Sequence, residues 1–263
     1  MDLWNDEHVK GLADLPVEAS SKRKNCKRCK RPESVCLCEF LPERPLDIRM
    51  TVCILQHPNE ESRSLTTVPL LSASLPRDKC IIHRGKRFPP SKYPHLDAIL
   101  EKPERAILLY PGREAVDLSQ LVVDDEYRRT IDTLVVLDGT WRQASSIFNT
   151  NPRLHVLQLV KLSVSTTSTY VIRTQPSDNC WSTVESVALA LSILESNSDI
   201  HKTFELPLKA LCDFQLKHGA VVHQSKEATR KEQERQLKQR CEHQIDVRIG
   251  GTSATITELS LDT

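Results

Sequence analysis

Glycine is scarce in this chain. There are seven in 263 residues, well under half the usual share of about 7%. No two of them fall in a G-x-G-x-x-G or G-x-x-x-x-G-K-[ST] pattern, which argues against a glycine-fingerprint dinucleotide site and a phosphate-binding P-loop. Long apolar runs are also missing: the longest, around Val187 to Leu194, is broken by Ser192 and falls far short of the ~20 residues that span a bilayer. Net charge is nearly absent, with 36 Lys+Arg against 35 Asp+Glu, so any basic surface for nucleic acid must be local. The opening MDLWNDEHVK has no basic segment followed by an apolar one, so it does not read as a secretory signal. A cytoplasmic, reducing setting is expected, and there the nine cysteines read as thiols and metal ligands rather than a disulfide framework.

What is present is a soluble globular composition, 39% hydrophobic and 27% charged with mean hydropathy of −0.38, long enough for a substantial core. Residues 1–21 are polar and read as a lead-in. Residues 22–31, KRKNCKRCKR, carry seven Lys/Arg and no acid, the sharpest composition shift in the chain. From Met50 onward, apolar runs of strand length occur at 50–56, 80–83, 106–110, 133–137, 154–160 and 170–173. Several are continuous, as expected for strands buried on both faces. Helical segments are expected at about 62–75, 141–149, 183–196 and 205–217. The alternation predicts an α/β fold with a mostly parallel sheet. Residues 225–240 are rich in helix formers, with six Lys/Arg against three Glu and no broad apolar stripe, and read as a solvated helix or a basic nucleic-acid contact. The remaining tail is polar. The basic run at 22–31 is also compatible with nuclear import.

Cys26-x-x-Cys29 and Cys36-x-Cys38 put four thiols within thirteen residues, a spacing that suits one tetrahedral Zn²⁺; an iron–sulfur cluster fits the same ligands. Four closed ligands leave no open position, so such a metal organises structure and does not catalyse. The surrounding cations, Lys27 and Arg28 among them, would favour the thiolates and could meet phosphate. Cys53, Cys80 and Cys212 sit in apolar runs and read as small core residues.

Three places suit a ligand site. Asp138 ends a buried run just before a helix, where open α/β sheets gather ligands; it is either a catalytic carboxylate or an acceptor for loop amides, since Thr140-x-x-Gln143 also fits a capping box. Arg173 precedes Pro176, and Ser182-x-x-Glu185 is a second capping box; the helix start behind it could receive a carboxylate or phosphate with Arg173 as a bidentate partner. His57 and Pro58 follow the first run, with Glu60, Arg63 and Thr67 close behind.

Together these pieces, from Cys26 to about Leu216, resemble the DTW-domain family of tRNA-uridine aminocarboxypropyltransferases. Asp138-Gly139-Thr140-Trp141 matches the D-x-T-W signature, continued by Gln143-Ala144. His57-Pro58-x-Glu60, Tyr110-Pro111-Gly112, the Arg173/Pro176 loop and Ser182-Thr183-Val184-Glu185-Ser186 resemble its other motifs, and the four cysteines resemble its N-terminal knuckle. Trp181, Val184 and Ser186 stand where relatives carry Leu, Leu and Ala, and Thr66 where many carry Asn. The resemblance implies a SPOUT-like, knotted domain over 46–220 behind a four-cysteine zinc knuckle over 22–45; composition places a basic helix and polar tail over 221–263. The resemblance also implies S-adenosylmethionine as cosubstrate, structural Zn²⁺ and tRNA as partner. The implied reaction moves the 3-amino-3-carboxypropyl arm to uridine N3. In it Asp138 is the base, or holds the cofactor's ammonium group. Thr140, Trp141, Arg173, Ser182, Thr183 and Glu185 contact the cofactor, and His57, Arg63, Lys27 and Arg28 the RNA. A methyltransferase using the same cofactor, or a non-enzymatic zinc-containing RNA binder, would share much of this pattern.

Overall fold

The computed structural model describes residues 24–61, 63, 65–164, 167–174 and 180–237. The lead-in 1–21, Pro176, the last three residues of the 225–240 segment and the whole polar tail after it lie outside the described residues. Six strands form one sheet: β1 (Thr51–Gln56), β2 (Cys80–Arg84), β3 (Ala106–Leu109), β4 (Val116–Asp117), β5 (Thr133–Asp138) and β6 (Gln158–Lys161). Their order is β2-β1-β5-β3-β6-β4, and every pairing is parallel. The expected parallel α/β architecture is present. The strand order establishes the sheet, whereas a knotted crossing is an implication of the resemblance alone.

The helices are α1 (Pro58–Glu61), α2 (Val68–Ser74), α3 (Pro94–Leu100), α4 (Leu118–Leu121), α5 (Asp125–Thr130), α6 (Trp141–Thr150), α7 (Thr183–Leu194) and α8 (Asp199–Lys217). A further helix, α9, runs over 226–237. All of β5 is buried, and its side chains alternate between two cores. Leu134 and Val136 join α2, α7 and α8 on one face, while Val135 and Leu137 join Leu96 of α3 and Ile147 of α6 on the other. Burial on both faces is why the strands read as unbroken apolar runs.

The expected strands are corrected at two places. Residues 170–173 do not form a strand. The Glu185 carboxylate accepts the Thr169 N–H, and the Val171 carbonyl accepts from the His223 N–H. Tyr170 and Ile172 are thus buried in a turn held by side chains and loop backbone, with no neighbouring strand among the described residues. The 154–160 run begins as a 3₁₀ turn, Pro152–Val156, and becomes a strand only at Gln158. Of the helix expected at 62–75, only Val68–Ser74 (α2) is helical among the described residues, with the short α1 preceding that span, and α8 begins at Asp199 instead of about 205. Ile200, Phe204, Leu208 and Leu211 are buried at helical spacing. Burying such side chains contributes about 1.5–3 kcal/mol each, enough to offset the ~3 kcal/mol cost of Pro207 inside the helix.

The cysteine knuckle packs against the same core as α8. Cys29, Leu37 and Leu41 are buried in that cluster, and Phe40 meets Phe214 of α8 edge-on with centroids 6.2 Å apart. Its backbone folds tightly, with the Cys26 N–H donating to Arg31 at 2.7 Å and the Lys30 N–H donating to Cys26 at 3.0 Å.

Candidate active site

Because every strand is parallel, all carboxyl ends open on one edge of the sheet. Asp138 ends β5 there, only 5% exposed. The register pairs it with Gln56 at the end of β1, and the Gln56 Nε2 donates to Asp138 Oδ2 at 2.9 Å. The other carboxylate oxygen, Oδ1, accepts from Thr183 Oγ1 at 2.6 Å. Two side chains from different elements thus fix the orientation of one carboxylate. Gln56 is itself oriented by Arg84, whose Nε donates to Gln56 Oε1 at 3.3 Å.

The residue after Asp138 must be small. A Cβ on Gly139 would lie 2.9 Å from the Gln143 Cβ, and Gln143 cannot retreat because it closes the cap of α6. Its Oε1 accepts from the Thr140 N–H at 2.7 Å, and its own N–H donates to Thr140 Oγ1 at 3.3 Å. Thr140 is therefore a helix cap with its hydroxyl engaged, and Trp141 starts α6 half exposed, at 46%.

Trp141, Gly139, Thr183, Cys180 and Trp181 lie between two lobes of one cleft. One lobe, about 280 Å³, has Leu109, Tyr110, Val136 and Ala144 in its walls. The other, about 360 Å³, is the more polar of the two and contains Asp138, Glu60, Thr67, Arg173 and Ser182. Glu60 is 2% exposed and forms ion pairs with Arg63 at 2.9 Å and Arg173 at 3.9 Å. Burial pushes its pKa above the ordinary carboxylate value despite those cations. A small molecule with an aromatic end and a charged end fits such a cleft.

Ser182 caps α7 in a second capping box. Glu185 is consumed by structure: its carboxylate accepts from Ser182, from the Ser168 hydroxyl at 2.7 Å and from the Thr169 N–H at 2.8 Å. It fastens the turn that carries Tyr170 and Arg173, and the Tyr170 hydroxyl donates to the carbonyl of Leu65, which lines the same lobe. His57 lies outside both lobes. Its N–H donates to the Asp138 carbonyl at 2.9 Å, and its Nδ1 accepts from the Asn59 N–H at 3.2 Å. Burial, with Lys86 and Arg63 adding to it, lowers its pKa.

Of the residues expected at the site, the structure brings Asp138, Thr140, Trp141, Arg173, Ser182 and Thr183 to the cleft. Glu185, His57 and Arg63 do not line it, and Lys27 and Arg28 line a different groove. The sequence reading passed over Gln56, Arg142, Trp181 and Lys226. Gln56 is revealed only by strand register, and Lys226 only by α9 returning to the cleft. Elsewhere α9 is largely exposed and laced by ion pairs such as Lys231–Glu227 and Arg230–Glu234, as the solvated-helix reading expects.

The four cysteines converge. Cys26 and Cys38 sulfurs are 3.4 Å apart, Cys29 and Cys36 sulfurs 3.7 Å, and all four lie within 4.8 Å of one another. A metal 2.3 Å from each sulfur gives a tetrahedron with edges of about 3.8 Å, while a disulfide needs about 2.05 Å. The cluster therefore fits a metal ion and not disulfides. N–H groups of Cys29 and Arg28 lower the Cys26 thiol to about 6, whereas burial and the neighbouring thiols push Cys38 up to about 12. Ionising the whole set requires a cation at its centre.

These features define an open α/β protein whose ligand site lies at the carboxyl ends of its strands, with a separate cysteine knuckle. Residues 23–216 match the DTW domain, and the chain belongs to the DTW-domain family. It is 46% identical over 223 residues to tRNA-uridine aminocarboxypropyltransferase 2 of Macaca fascicularis, covering 85% of this chain and 74% of that protein. It is 42% identical over 227 residues to the protein of the same name from Drosophila melanogaster, covering 86% of each. tRNA-uridine aminocarboxypropyltransferase A of Arabidopsis thaliana is 26% identical. No solved structure matches the chain significantly.

Proposed function

We propose that this chain transfers the 3-amino-3-carboxypropyl group of S-adenosylmethionine to N3 of a uridine in tRNA, giving 3-(3-amino-3-carboxypropyl)uridine and methylthioadenosine. The observation that carries this reading is the D-x-T-W signature, Asp138 to Trp141, lining a two-lobed cleft in a chain so similar to proteins named for that activity. When bound, S-adenosylmethionine supplies a sulfonium-activated carbon to which uridine N3 bonds as the carbon–sulfur bond breaks.

The chain's own residues have four tasks. Tyr110 and Trp141 wall the less polar lobe, which suits the adenine. Arg173 and the Ser182/Thr183 turn suit the cosubstrate's carboxylate. Asp138, held by Gln56 and Thr183, accepts the N3 proton or holds the ammonium group. Cys26, Cys29, Cys36 and Cys38 hold Zn²⁺, which keeps the knuckle folded. The protein acts where its tRNA is handled, in the cytoplasm or nucleus.

Incubation with unmodified tRNA and S-adenosylmethionine, followed by nucleoside and by-product mass spectrometry, tests the reaction. A methylated nucleoside with S-adenosylhomocysteine would replace this reading by methyl transfer, and no product despite tRNA binding would replace it by a binding role. Asp138→Asn abolishes turnover; retained cosubstrate affinity then assigns Asp138 the proton, and lost affinity assigns it the ammonium group. Near-normal turnover in that variant excludes both roles.

A further inference from the structure

We infer that a groove separate from the cleft, between the cysteine knuckle and the β2 edge of the sheet, binds the RNA backbone beside the reacting nucleotide. The inference rests on the proposed reaction for the choice of RNA as the polyanion. The groove is about 530 Å³ and brings together Lys27, Arg28 and Lys30 of the knuckle with Arg77 and Arg84 from either end of β2. Only one acid, Glu61, faces these five cations, and it is paired with Arg84 at 3.0 Å. Among the described residues, no carboxylate lies within ion-pair distance of Lys27, Lys30 or Arg77. In a chain with net charge of +1, three cations without a carboxylate partner, beside Arg28 held on the Pro42 carbonyl and Arg84 paired with Glu61, make this concave surface a local polyanion site.

Position ties the groove to the chemistry. Thr66 lines both the groove and the polar lobe of the cleft. Gln56 lines the groove and donates to Asp138. One layer of residues therefore separates the two, so a strand with a base in the cleft has its neighbouring phosphates at the groove. Val68, Pro69 and Ile82 in the groove wall supply apolar surface for a ribose or base.

Lys30 also offers a clean variant for testing the groove. Its φ of 61° is a left-handed conformation that favours glycine, yet the position carries a cation. Lys30→Gly removes the charge while relieving the backbone, so the fold is not weakened by the change.

The test uses the full chain with its metal. For the Lys30→Gly/Arg77→Ser pair, binding of unmodified tRNA by fluorescence anisotropy falls at least about tenfold, and the slope of log K against log salt becomes shallower by about 1.4, at ~0.7 per lost contact on single-stranded RNA. Cosubstrate affinity, measured by calorimetry, is unchanged. In the wild-type protein, tRNA protects Lys27 and Lys30 from amine-reactive labelling and S-adenosylmethionine alone does not. Wild-type affinity and slope in the variant, or equal labelling with tRNA bound, overturns the groove even where the reaction is confirmed. Loss of binding and protection of the lysines support it even where the product proves to be something other than aminocarboxypropyluridine.

Discussion

Gln56 and Glu185 show how buried polar side chains divide between chemistry and architecture. Gln56 reaches Asp138 across the strand register and is held from behind by Arg84, which makes it a positioning residue. A hydrogen bond to a charged group contributes about 1.5–3 kcal/mol, so Gln56→Leu lowers kcat roughly 10- to 100-fold while cosubstrate affinity, read by calorimetry, stays within about twofold. An equal loss in both would make Gln56 a binding residue instead. Glu185 is the opposite case. Its carboxylate is surrounded by donors from Ser168, Thr169 and Ser182, and Glu185→Ala strands them in a buried setting. The expected destabilisation is about 3 kcal/mol or more, visible in urea unfolding. Cosubstrate affinity falls as well, because the turn bearing Arg173 loses its fastening. Glu185→Gln recovers part of both.

Among the elements, the knuckle is the one with a removable support. Cys29, Leu37 and Leu41 give it an apolar underside in the main core, but among the described residues its loops contain only a single bridge pair, Asn25 with Pro32, and one 3₁₀ turn. Secondary structure this sparse does not hold four thiols together unaided, and structural metal binding in small domains contributes about 10–16 kcal/mol. One Zn²⁺ per chain is expected by elemental analysis. Chelation, or Cys29→Ser, lowers the melting temperature and exposes Phe40 and Phe214 to solvent, measurable as increased binding of a hydrophobic dye. A chain that keeps its melting temperature after complete chelation would show that the core alone holds the knuckle.

Across the whole molecule, one part of the pH response follows from the buried His57 and the half-buried His83. Burial lowers the pKa of His57, helped by Lys86 and Arg63, and that of His83, helped by His95. Each therefore binds its proton more readily in the unfolded chain. Stability is fully present above the unfolded value near 6.5 and declines as pH falls below it, levelling only beneath the lowered folded values. The melting temperature drops between about pH 7 and pH 5, and His57→Gln flattens that decline, since its Nδ1 no longer has to surrender the bond from Asn59. An unchanged decline in the variant would shift the effect to other groups.

The sequence by itself determined the parallel α/β class, because strands buried on both faces must be continuously apolar. It also determined the two helix caps at Thr140 and Ser182, since capping is local and needs only residues three apart. The cysteine quartet was legible for the same reason: its ligands lie within thirteen residues. Local information failed at Tyr170–Arg173, where an apolar run became a buried turn because Glu185, sixteen residues away from Thr169, took its backbone N–H. Tertiary structure alone decided that Gln56 stands beside Asp138, eighty-two residues on, that Lys226 returns to the cleft, and that Lys27, Lys30, Arg77 and Arg84 share a groove. Charge and hydrogen-bonding groups in a sequence do not state which others they will meet. Strand pairing and helix packing set those meetings, and the candidate site is made of them.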